Sequence, residues 1–388
     1  MRVGITGQSG FIGTHLYHTL GLFPDRFERI EFRDEWFNDP LRLTAFVAQC
    51  DAVVHLAAMN RHPDPKVIYA TNLQLVEQLI TACRSAGAAP HILFSSSTQE
   101  ERDNLYGRSK REGRSLLEAW AQRVGARFTG LVIPNVYGPF GQPYYNSVVA
   151  TFCHQLTHGE TPGVDVDAEL QLIYVGELVG IIIEKIAGTR MERIATDKTH
   201  ENQFSPAPPC TIQPTSTIRV SALLNQLQRY KTDYFEKGII PSLDGTFDRN
   251  LFNTFLCYIE HNSYFPRLLP MQSDHRGSFS ELVRMGSGGQ VSFSTTQPGI
   301  TRGNHFHTRK AERFAVIKGK ARIDIRRIGT DKVYSFDLDG SQPAYVDMPI
   351  WHTHNITNVG DDELYTLFWI NEQFNPEDPD TYAEIVSN

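Results

Sequence analysis

The first half of the chain alternates short apolar runs with stretches whose apolar residues recur at helical spacing. The apolar runs predict buried parallel strands, and the stretches between them predict amphipathic helices. This alternation indicates a doubly wound α/β sheet with a ligand at the carboxyl ends of its strands. The predicted strands are Arg2–Thr6, Arg29–Phe32, Ala52–Ala57, Ile92–Ser95 and Gly130–Ile133, and the predicted helices are Phe11–Leu20, Val67–Ala86 and Lys110–Val124.

The pattern changes in the second half of the chain. Residues 197–217 are polar and rich in proline, which predicts a long loop, and a helix is predicted over Ser221–Tyr230. Beyond about Pro266, short alternating segments separated by turn residues are typical of an antiparallel β-barrel. The clearest of these segments are Gln290–Thr295, Ala321–Arg326, Val333–Leu338 and Leu364–Ile370.

Two domains are predicted from this change of pattern. Residues 1–262 form an α/β Rossmann domain with a substrate-binding part, and residues 263–388 form an all-β domain. The length of 388 residues, with 40% hydrophobic and 21% charged residues, is ordinary for two globular domains.

Composition also narrows the class of protein. A net charge of -7 without a basic stripe argues against a nucleic-acid partner. Five cysteines without a C-x-x-C pair indicate reduced thiols rather than disulfides. We find no signal peptide at the start and no run of about eighteen apolar residues, so we expect a cytoplasmic protein that does not span a membrane.

A glycine turn follows the first predicted strand and opens the first helix, in the string Gly7-Gln-Ser-Gly10-Phe11-Ile12-Gly13. Glycines at this spacing allow a tight turn, close approach of the backbone to a pyrophosphate and close packing of helix on strand. The third strand ends in Leu56-Ala57-Ala58, small residues that suit a surface lying flat against a dinucleotide. His55, within the apolar run, is predicted to be a packed, hydrogen-bonded side chain rather than a catalytic group.

The end of the second predicted strand bears on the choice between NAD and NADP. An acid there binds the ribose 2′-hydroxyl of NAD, whereas an arginine binds the 2′-phosphate of NADP. This chain has both kinds of residue in Ile30-Glu31-Phe32-Arg33-Asp34. We predict NADP, clamped by Arg33; the alternative is a solvated Arg33 beside Asp34, with NAD as the cofactor.

Tyr106 and Lys110 lie one helical turn apart on the same face of a predicted helix. A buried ammonium near a phenol is expected to lower the pKa of the tyrosine and so to promote proton exchange near neutrality. The same lysine can hold the cofactor ribose. The preceding strand ends in Ser95-Ser-Ser-Thr98, which offers a hydroxyl to a substrate carbonyl.

These motifs together resemble the extended short-chain dehydrogenase/reductase family over about residues 1–260. The resemblance rests on Gly7–Gly13, His55-Leu-Ala-Ala58, Ser95–Ser97, Tyr106…Lys110 and Pro134-Asn-Val-Tyr-Gly-Pro139. It implies a nucleotide-sugar substrate, with Tyr106 as acid, Lys110 as its electrostatic partner and Ser97 as carbonyl ligand. Which hydroxyl of Ser96, Ser97 and Thr98 points inward stays open. The implied cofactor-binding residues are Gly7, Gly10, Phe11, Ile12, Gly13, Arg33, Leu56, Ala57, Ala58 and Lys110.

Two departures from that family bear on the reaction. The chain has Tyr174-Val-Gly-Glu177 where the family has Tyr-Val-Asp-Asp, so no role is assigned to this turn. Sugar dehydratases of the family carry an acidic pair after the serine or threonine. Thr98 and Gln99 are uncharged here, which argues against dehydration.

A second constellation lies in the predicted barrel. His305 and His307 are two residues apart on a strand and point to the same face. With Glu312 and His354 from later strands they offer three nitrogens and one oxygen, a set suited to Zn²⁺, Mn²⁺ or Fe²⁺. The spacing is similar to the two-part cupin motif, except that Trp351 stands where a glycine is usual. We therefore predict a cupin (jelly-roll) domain that binds a divalent metal, with zinc preferred and His352 as a spare ligand.

The barrel also resembles the deoxysugar 3,5-epimerases in Asp274-His-Arg-Gly-Ser-Phe-Ser-Glu281 and Arg302-Gly-x-His305. In that family the histidine is a general base and no metal is needed. The two resemblances assign different roles to His305, and we favour the metal ligand because the other three metal positions are present. The base for an epimerisation is then unassigned.

Over its full length the chain resembles the bifunctional UDP-hexulose 3-epimerase/4-reductases of capsule and O-antigen biosynthesis, on the route to UDP-N-acetyl-L-fucosamine. This implies a UDP-sugar substrate, C3 epimerisation in the cupin domain, C4 reduction in the Rossmann domain, and a homodimer. The alternatives are a nucleotide-sugar 4-epimerase or reductase with a purely structural metal, and a non-enzymatic sensor of nicotinamide or sugar. Retention of Tyr106 and Lys110 argues against the sensor.

Overall fold

The computed structural model describes residues 1–196, 209–274, 277–280, 282–283, 285 and 289–387. The chain divides into two compact units. The first comprises Met1–Tyr137, Gly141–Val148 and Ala168–Ile218, and the second comprises Gly138–Phe140, Val149–Asp167 and Arg219–Asn388. The expected boundary at 262/263 falls within the second unit, and it stays a prediction.

The elements up to residue 219 alternate between strands and helices, apart from consecutive strands over residues 128–137 and over residues 210–219. In chain order they are β1 (Arg2–Thr6), α1 (Phe11–Gly21), β2 (Glu28–Ile30), α2 (Pro40–Gln49), β3 (Ala52–His55), α3 (Pro65–Ala86), β4 (His91–Ser97), α4 (Leu105–Val124), β5 (Phe128–Ile133), β6 (Asn135–Tyr137), α5 (Val148–Thr157), β7 (Glu169–Tyr174), α6 (Val175–Thr196), β8 (Cys210–Thr211) and β9 (Ser216–Arg219). Short 3-10 helices cover Asp34–Asn38 and Thr98–Glu101.

The first unit contains a six-stranded parallel sheet in the order β2-β1-β3-β4-β5-β8. Thr6 of β1 is level with His55 of β3, which is level with Phe94 of β4. The carboxyl ends of these strands therefore meet at one edge, which carries the glycine turn and the serine run. This confirms the predicted doubly wound sheet.

The helices that carry candidate residues have clear termination signals. α4 begins after Asn104, whose side-chain oxygen accepts a hydrogen bond from the Gly107 amide at 2.7 Å, and it ends at Gly125, where φ is 71°. This cap places the start of α4 at Leu105, five residues before the predicted start, so Tyr106 and Lys110 lie in one helix. The inner face of α4 buries Leu117 and Trp120, each contributing about 1.5–3 kcal/mol.

The elements after residue 219 are helices followed by an all-β region. They are α7 (Val220–Arg229), a π-helix (Tyr230–Glu236), α8 (Thr246–Leu256), α9 (His261–Tyr264), β10 (Arg267–Leu268), β11 (Met271–Asp274), β12 (Gly277–Ser280), β13 (Gln290–Thr296), β14 (Thr301–Phe306), β15 (Glu312–Lys318), β16 (Lys320–Arg327), β17 (Val333–Asp339), β18 (Ala344–Met348), β19 (His352–Asn358), β20 (Leu364–Ile370) and β21 (Tyr382–Ala383).

The all-β region is built from two five-stranded sheets, β10-β18-β15-β20-β13 and β17-β16-β19-β14-β21. The strand pairs within them are antiparallel. Alternate residues such as Ile323, Ile325 and Val346 are fully buried between the sheets, as in a jelly roll. This confirms the predicted fold class, a Rossmann domain followed by an all-β jelly-roll domain.

The prediction of an irregular loop up to residue 217 is wrong at its end. Residues 197–208 lie outside the described residues, but β8 and β9 follow them. Cys210 and Thr211 pair in parallel with Leu131 and Val132 at the edge of the sheet. Runs this short, flanked by Pro209 and Pro214, are too brief for a periodic pattern. None of the helices in the described part of the chain is both long and apolar enough to cross a membrane.

Candidate active site and metal centre

The glycine turn folds tightly between β1 and α1. Gly7 has a φ of 70°, and a Cβ atom there would lie 2.7 Å from the Ala57 nitrogen. A Cβ atom on Gly13 would lie 2.2 Å from the Gly7 oxygen. Only glycine fits at both positions. The first turn of α1, with Phe11 and Ile12, therefore starts at the sheet edge with its amides available to a phosphate.

The residues beyond β3 reach the same edge. The Leu56 amide donates to the Thr6 oxygen at 3.1 Å, and the Ala57 amide lies 3.5 Å from the Thr6 hydroxyl. The structure thus brings the cofactor-binding candidates of the glycine turn together with Leu56, Ala57 and Ala58.

The two candidate residues after β2 have different surroundings. Arg33 pairs with Glu31, Nη2 to Oε1 at 2.8 Å, and its side chain is 59% exposed. Asp34 accepts a hydrogen bond from the Ser9 hydroxyl at 2.7 Å. The acid therefore contacts the glycine turn, and Glu31 rather than Asp34 is the partner of the solvated arginine.

His55 is fully packed in the sheet, as predicted. It is 1% exposed, and its Nδ1 lies 2.6 Å from the Thr6 hydroxyl. Burial, with a contribution from Lys110, lowers the pKa of His55 to about 3, so the imidazole is neutral at physiological pH.

Lys110 is a buried cation beside the serine strand. Its Nζ donates to the Ser95 oxygen at 3.0 Å and lies 5.9 Å from the centroid of the Tyr106 ring. Burial lowers the pKa of Lys110 to about 8, against a small opposing effect of Glu100. The ammonium and the phenol are neighbours, as the spacing predicts.

The expected lowering of the Tyr106 pKa is wrong. Burial, and to a lesser extent the phenol of Tyr145, raise it to about 12. Lys110 directs its ammonium to the Ser95 carbonyl, and desolvation of the phenolate dominates. The phenol therefore keeps its proton at neutral pH, which suits an acid that protonates a developing alkoxide.

The three serine hydroxyls at the end of β4 have distinct partners. Ser95 donates to the His55 oxygen at 3.1 Å, and Ser96 donates to the Glu100 carboxylate. Ser97 accepts from the Gln99 amide at 3.2 Å and keeps its own proton for another acceptor. Thr98 is exposed. Of these hydroxyls, Ser97 is the best placed to donate to a carbonyl beyond the strand.

Sequence reasoning missed a buried ion pair behind this run. Arg114 donates to Glu100 through Nε at 3.0 Å and Nη2 at 2.9 Å, and the two side chains are 17% and 8% exposed. The pair joins the 3-10 helix after β4 to α4. Fourteen residues separate its members, and neither belongs to a motif, so no sequence signal pointed to it.

The four predicted metal ligands form one cluster. Their ligand atoms all lie within 4.8 Å of one another. Ligands of a tetrahedral metal bound at about 2.1 Å are about 3.4 Å apart, so the side chains would have to close in to seat an ion. The members are His305, His307, Glu312 and His354.

Hydrogen bonds fix the orientation of two of these histidines. His354 Nδ1 lies 3.1 Å from the His352 oxygen, and His307 Nδ1 contacts the Asp380 oxygen. A carbonyl only accepts, so each Nδ1 carries the proton and each Nε2 offers its lone pair. His354 Nε2 lies 2.9 Å from Glu312 Oε2.

The cluster fits a divalent cation. Among the described residues, Nε2 of His307, Nε2 of His354 and Oε2 of Glu312 are buried without a hydrogen-bond partner. Burial opposes ionisation of Glu312, yet contacts with His307 and His354 hold its pKa well below the usual range. A buried carboxylate facing two imidazole lone pairs calls for a positive charge between them.

The spare candidate His352 lies outside the cluster. It is 4% exposed, its Nδ1 lies 3.0 Å from the Ile350 oxygen, and its ring stacks on His261. The neighbouring Trp351 has a φ of 59°, a backbone conformation that explains why glycine is usual there. Its ring stacks on Phe306.

Two family models match the chain. The NAD dependent epimerase/dehydratase family matches residues 3–187. The polysaccharide biosynthesis C-terminal domain matches residues 272–382. The two matches fall on the parallel-sheet region and on the all-β region.

Known proteins are similar to the whole chain or to part of it. The UDP-2-acetamido-2,6-beta-L-arabino-hexul-4-ose reductase of Pseudomonas aeruginosa is 34% identical over 390 residues, covering 99% of this chain and 98% of that protein. The crystal structure of capsular polysaccharide assembling protein CapF from Staphylococcus aureus covers 100% of both chains at 32% identity, with a TM-score of 0.60. The spore coat polysaccharide biosynthesis protein SpsL of Bacillus subtilis is 27% identical over 124 residues, 29% of this chain and 81% of that protein.

Proposed function

The chain belongs to the same family as the Pseudomonas aeruginosa UDP-hexulose reductase, and from this premise we propose that it reduces the C4 ketone of UDP-2-acetamido-2,6-dideoxy-hexulose with NADPH. The observation that carries the proposal is the grouping of Tyr106, Lys110 and Ser97 at the sheet edge that also holds the glycine turn. A full-length relative whose name specifies a hexul-4-ose supports the substrate class.

The residues have complementary roles in this reduction. NADPH bound at the glycine turn would supply the hydride for C4. Tyr106 donates its phenolic proton to the ketone oxygen, because its raised pKa keeps that proton in place at neutral pH. Ser97 donates a hydrogen bond to the same oxygen. Lys110 supplies positive charge near the phenol, and its ammonium can donate hydrogen bonds to the hydroxyl groups of the cofactor ribose.

We further propose that the all-β domain epimerises the sugar at C3 before the reduction. A C4 ketone acidifies the hydrogen on C3, so a base, for which no residue is assigned, takes that proton to give an enolate, and return of a proton to the opposite face inverts C3. His305, His307, Glu312 and His354 would hold a divalent metal, with zinc preferred, whose charge stabilises such an enolate. Reduction at C4 then removes the ketone and fixes the new configuration, on a route to UDP-N-acetyl-L-fucosamine in capsule or O-antigen biosynthesis.

The reduction is tested with UDP-2-acetamido-2,6-dideoxy-hexulose and NADPH. We expect Tyr106→Phe to lower the rate of NADPH oxidation at least 100-fold, the lower range for loss of a general acid. Tyr69→Phe removes a phenol that bonds to Glu112 on the helix surface and is the matched control. Wild-type rates in Tyr106→Phe would refute this role, and no turnover with any keto sugar would favour a sensor.

Epimerisation is tested separately, without NADPH. We expect the wild-type protein to exchange C3 hydrogen for deuterium in D₂O, followed by NMR, and His305→Ala to lose this exchange. Exchange that persists in His305→Ala would contradict a catalytic metal centre. If the wild-type protein reduces the sugar but exchanges no C3 hydrogen, the protein is a 4-reductase or 4-epimerase whose metal is structural.

Cofactor preference belongs to the same proposal. Arg33 is free to swing from Glu31 to a 2′-phosphate, because both side chains are well exposed. We expect Arg33→Ala to raise the KM for NADPH and leave that for NADH unchanged. Preference for NADH in the wild type would instead assign the ribose contact to Asp34, which bonds to Ser9.

We also propose a cytoplasmic homodimer. The unpaired thiols, of which Cys50, Cys83 and Cys153 are buried, support a reducing compartment. The dimer rests on the family resemblance, and light scattering coupled to size-exclusion chromatography tests it.

A further inference from the structure

A buried carboxylate organises the turn between β14 and β15, and these two strands with the turn carry three of the four proposed metal ligands. Asp380 is 2% exposed and has a left-handed backbone, with φ of 43°. Its carboxylate accepts from the Thr308 hydroxyl at 2.6 Å, the Arg309 amide at 2.9 Å and the Lys310 amide at 3.0 Å. A buried carboxylate with this many donors is well stabilised, so it holds the turn in one shape.

The same residue contacts a metal ligand through its backbone. The Asp380 carbonyl accepts the Nδ1 proton of His307, which leaves Nε2 directed at Glu312. The left-handed backbone at residue 380 lets its carbonyl meet His307 while its carboxylate meets the turn at residues 308–310. An unfavourable φ for an aspartate persists because both sets of contacts require it.

The segment that carries Asp380 is fastened along β14. Residues Tyr382 and Ala383 form β21, which pairs with Phe306 and His305. The Glu384 amide donates to the Asn304 oxygen at 2.9 Å, just before His305. This pairing keeps the segment in register with the strand that carries His305 and leads directly into His307.

We infer that Asp380 is a positioning residue of the metal centre, which orients His307 through its carbonyl and the ligand-bearing turn through its carboxylate. The inference rests on the proposed metal centre. Groups that orient a metal ligand typically change metal affinity by about 10–100-fold when removed. Without the Asp380 carboxylate, His307 would be held less firmly in its metal-binding orientation. We therefore expect the affinity for the metal to fall by about 10–100-fold.

The test uses the full chain with zinc and, as a spectroscopic probe, cobalt. We expect Asp380→Ala to weaken zinc binding about 10–100-fold in competition with a chelator, and to change the visible spectrum of the bound Co²⁺. Both variants keep the backbone carbonyl, but Asp380→Asn also keeps a side-chain oxygen that can accept from the turn at residues 308–310, so we expect a smaller loss. Asp378→Asn is the matched control, since Asp378 lies in the same segment and pairs only at the surface with Arg309.

A purely structural role gives a different result. Asp380→Asn or Asp380→Ala would then lower the unfolding free energy of the metal-free protein, while the folded variant binds zinc as tightly as the wild type, with the same cobalt spectrum. That outcome overturns the inference. If the alanine variant does not fold, the zinc affinity and cobalt spectrum of Asp380→Asn are compared with those of the wild type instead. Failure of the wild type to bind zinc overturns the metal centre itself.

Discussion

At the scale of single residues, the catalytic candidates have pKa values that follow from burial. Burial raises the pKa of Tyr106 to about 12 and lowers that of Lys110 to about 8. Both shifts favour the neutral form, because a low-dielectric environment disfavours charge. The phenol therefore stays protonated over the useful pH range, and the lysine is the group that titrates within it.

Activity and stability are expected to respond to Lys110 in opposite directions. As pH rises through about 8, Lys110 loses its charge, and we expect kcat/KM for the keto sugar to fall. Its pKa is lower folded than unfolded, so between about 8 and 10.5 the unfolded chain binds more protons. The buried ammonium therefore destabilises the fold in full below about pH 8, and this penalty is relieved as the pH rises through that window.

The measurement compares the wild type with Lys110→Met from pH 6 to 10. We expect the methionine variant to lack activity throughout and to be at least as stable as the wild type at pH 7, because it removes a buried charge. Lys66→Met, at an exposed position of α3, should keep both the activity and its pH profile. If Lys110→Met keeps some activity and its kcat/KM still falls above about pH 8, the fall does not come from Lys110.

At the scale of elements, the ion pair of Glu100 and Arg114 holds the end of β4 against α4. Glu100 also accepts from Ser96, so one carboxylate fixes both the helix contact and the serine run. Breaking a buried pair by removing one partner leaves an unpaired charge, at a cost of about 3–5 kcal/mol. Arg114 is 17% exposed and lies 4.0 Å from Glu118, which favours the lower end of that range.

We therefore expect Glu100→Gln to lower the free energy of unfolding by about 3 kcal/mol, as measured in urea. Glu100→Leu combined with Arg114→Leu should recover much of this loss, because both charges are removed together. Glu112→Gln, which breaks the exposed pair with Arg108, should change stability by no more than about 1 kcal/mol. If the losses of unfolding free energy in Glu100→Leu and Arg114→Leu simply add in the double variant, the two side chains do not stabilise each other.

The elements also show what the sequence could predict. Strong periodicity located β1, β4, β20, α1, α3 and α7 to within a few residues, and fixed spacings picked out the glycine turn and the four residues of the candidate metal cluster. The sequence could not reveal Glu100 with Arg114, or His307 with Asp380, since each contact joins residues brought together only by the tertiary fold. The sequence also predicted the wrong direction for the pKa shift of Tyr106, because desolvation of the phenol depends on how it is packed and not on its spacing from Lys110.

At the scale of the whole molecule, the chain has two compact units that each bury a core of their own. The glycine turn lies in the first, and the four proposed ligands lie in the second. A ligand that binds only the folded form stabilises it by about 2.7 kcal/mol at 100 times its dissociation constant. Each ligand is therefore expected to stabilise the unit that holds its site.

Calorimetry of the full chain provides the measurement. For units of this size, 2.7 kcal/mol corresponds to a rise in midpoint of roughly 5–10 °C. We expect NADPH to raise the midpoint of one transition and Zn²⁺ that of another. His354→Ala should abolish the zinc shift and leave the NADPH shift, because its substitution removes a ligand from the second unit only. One shared transition raised equally by either ligand would instead show that the two cores unfold as a single cooperative structure.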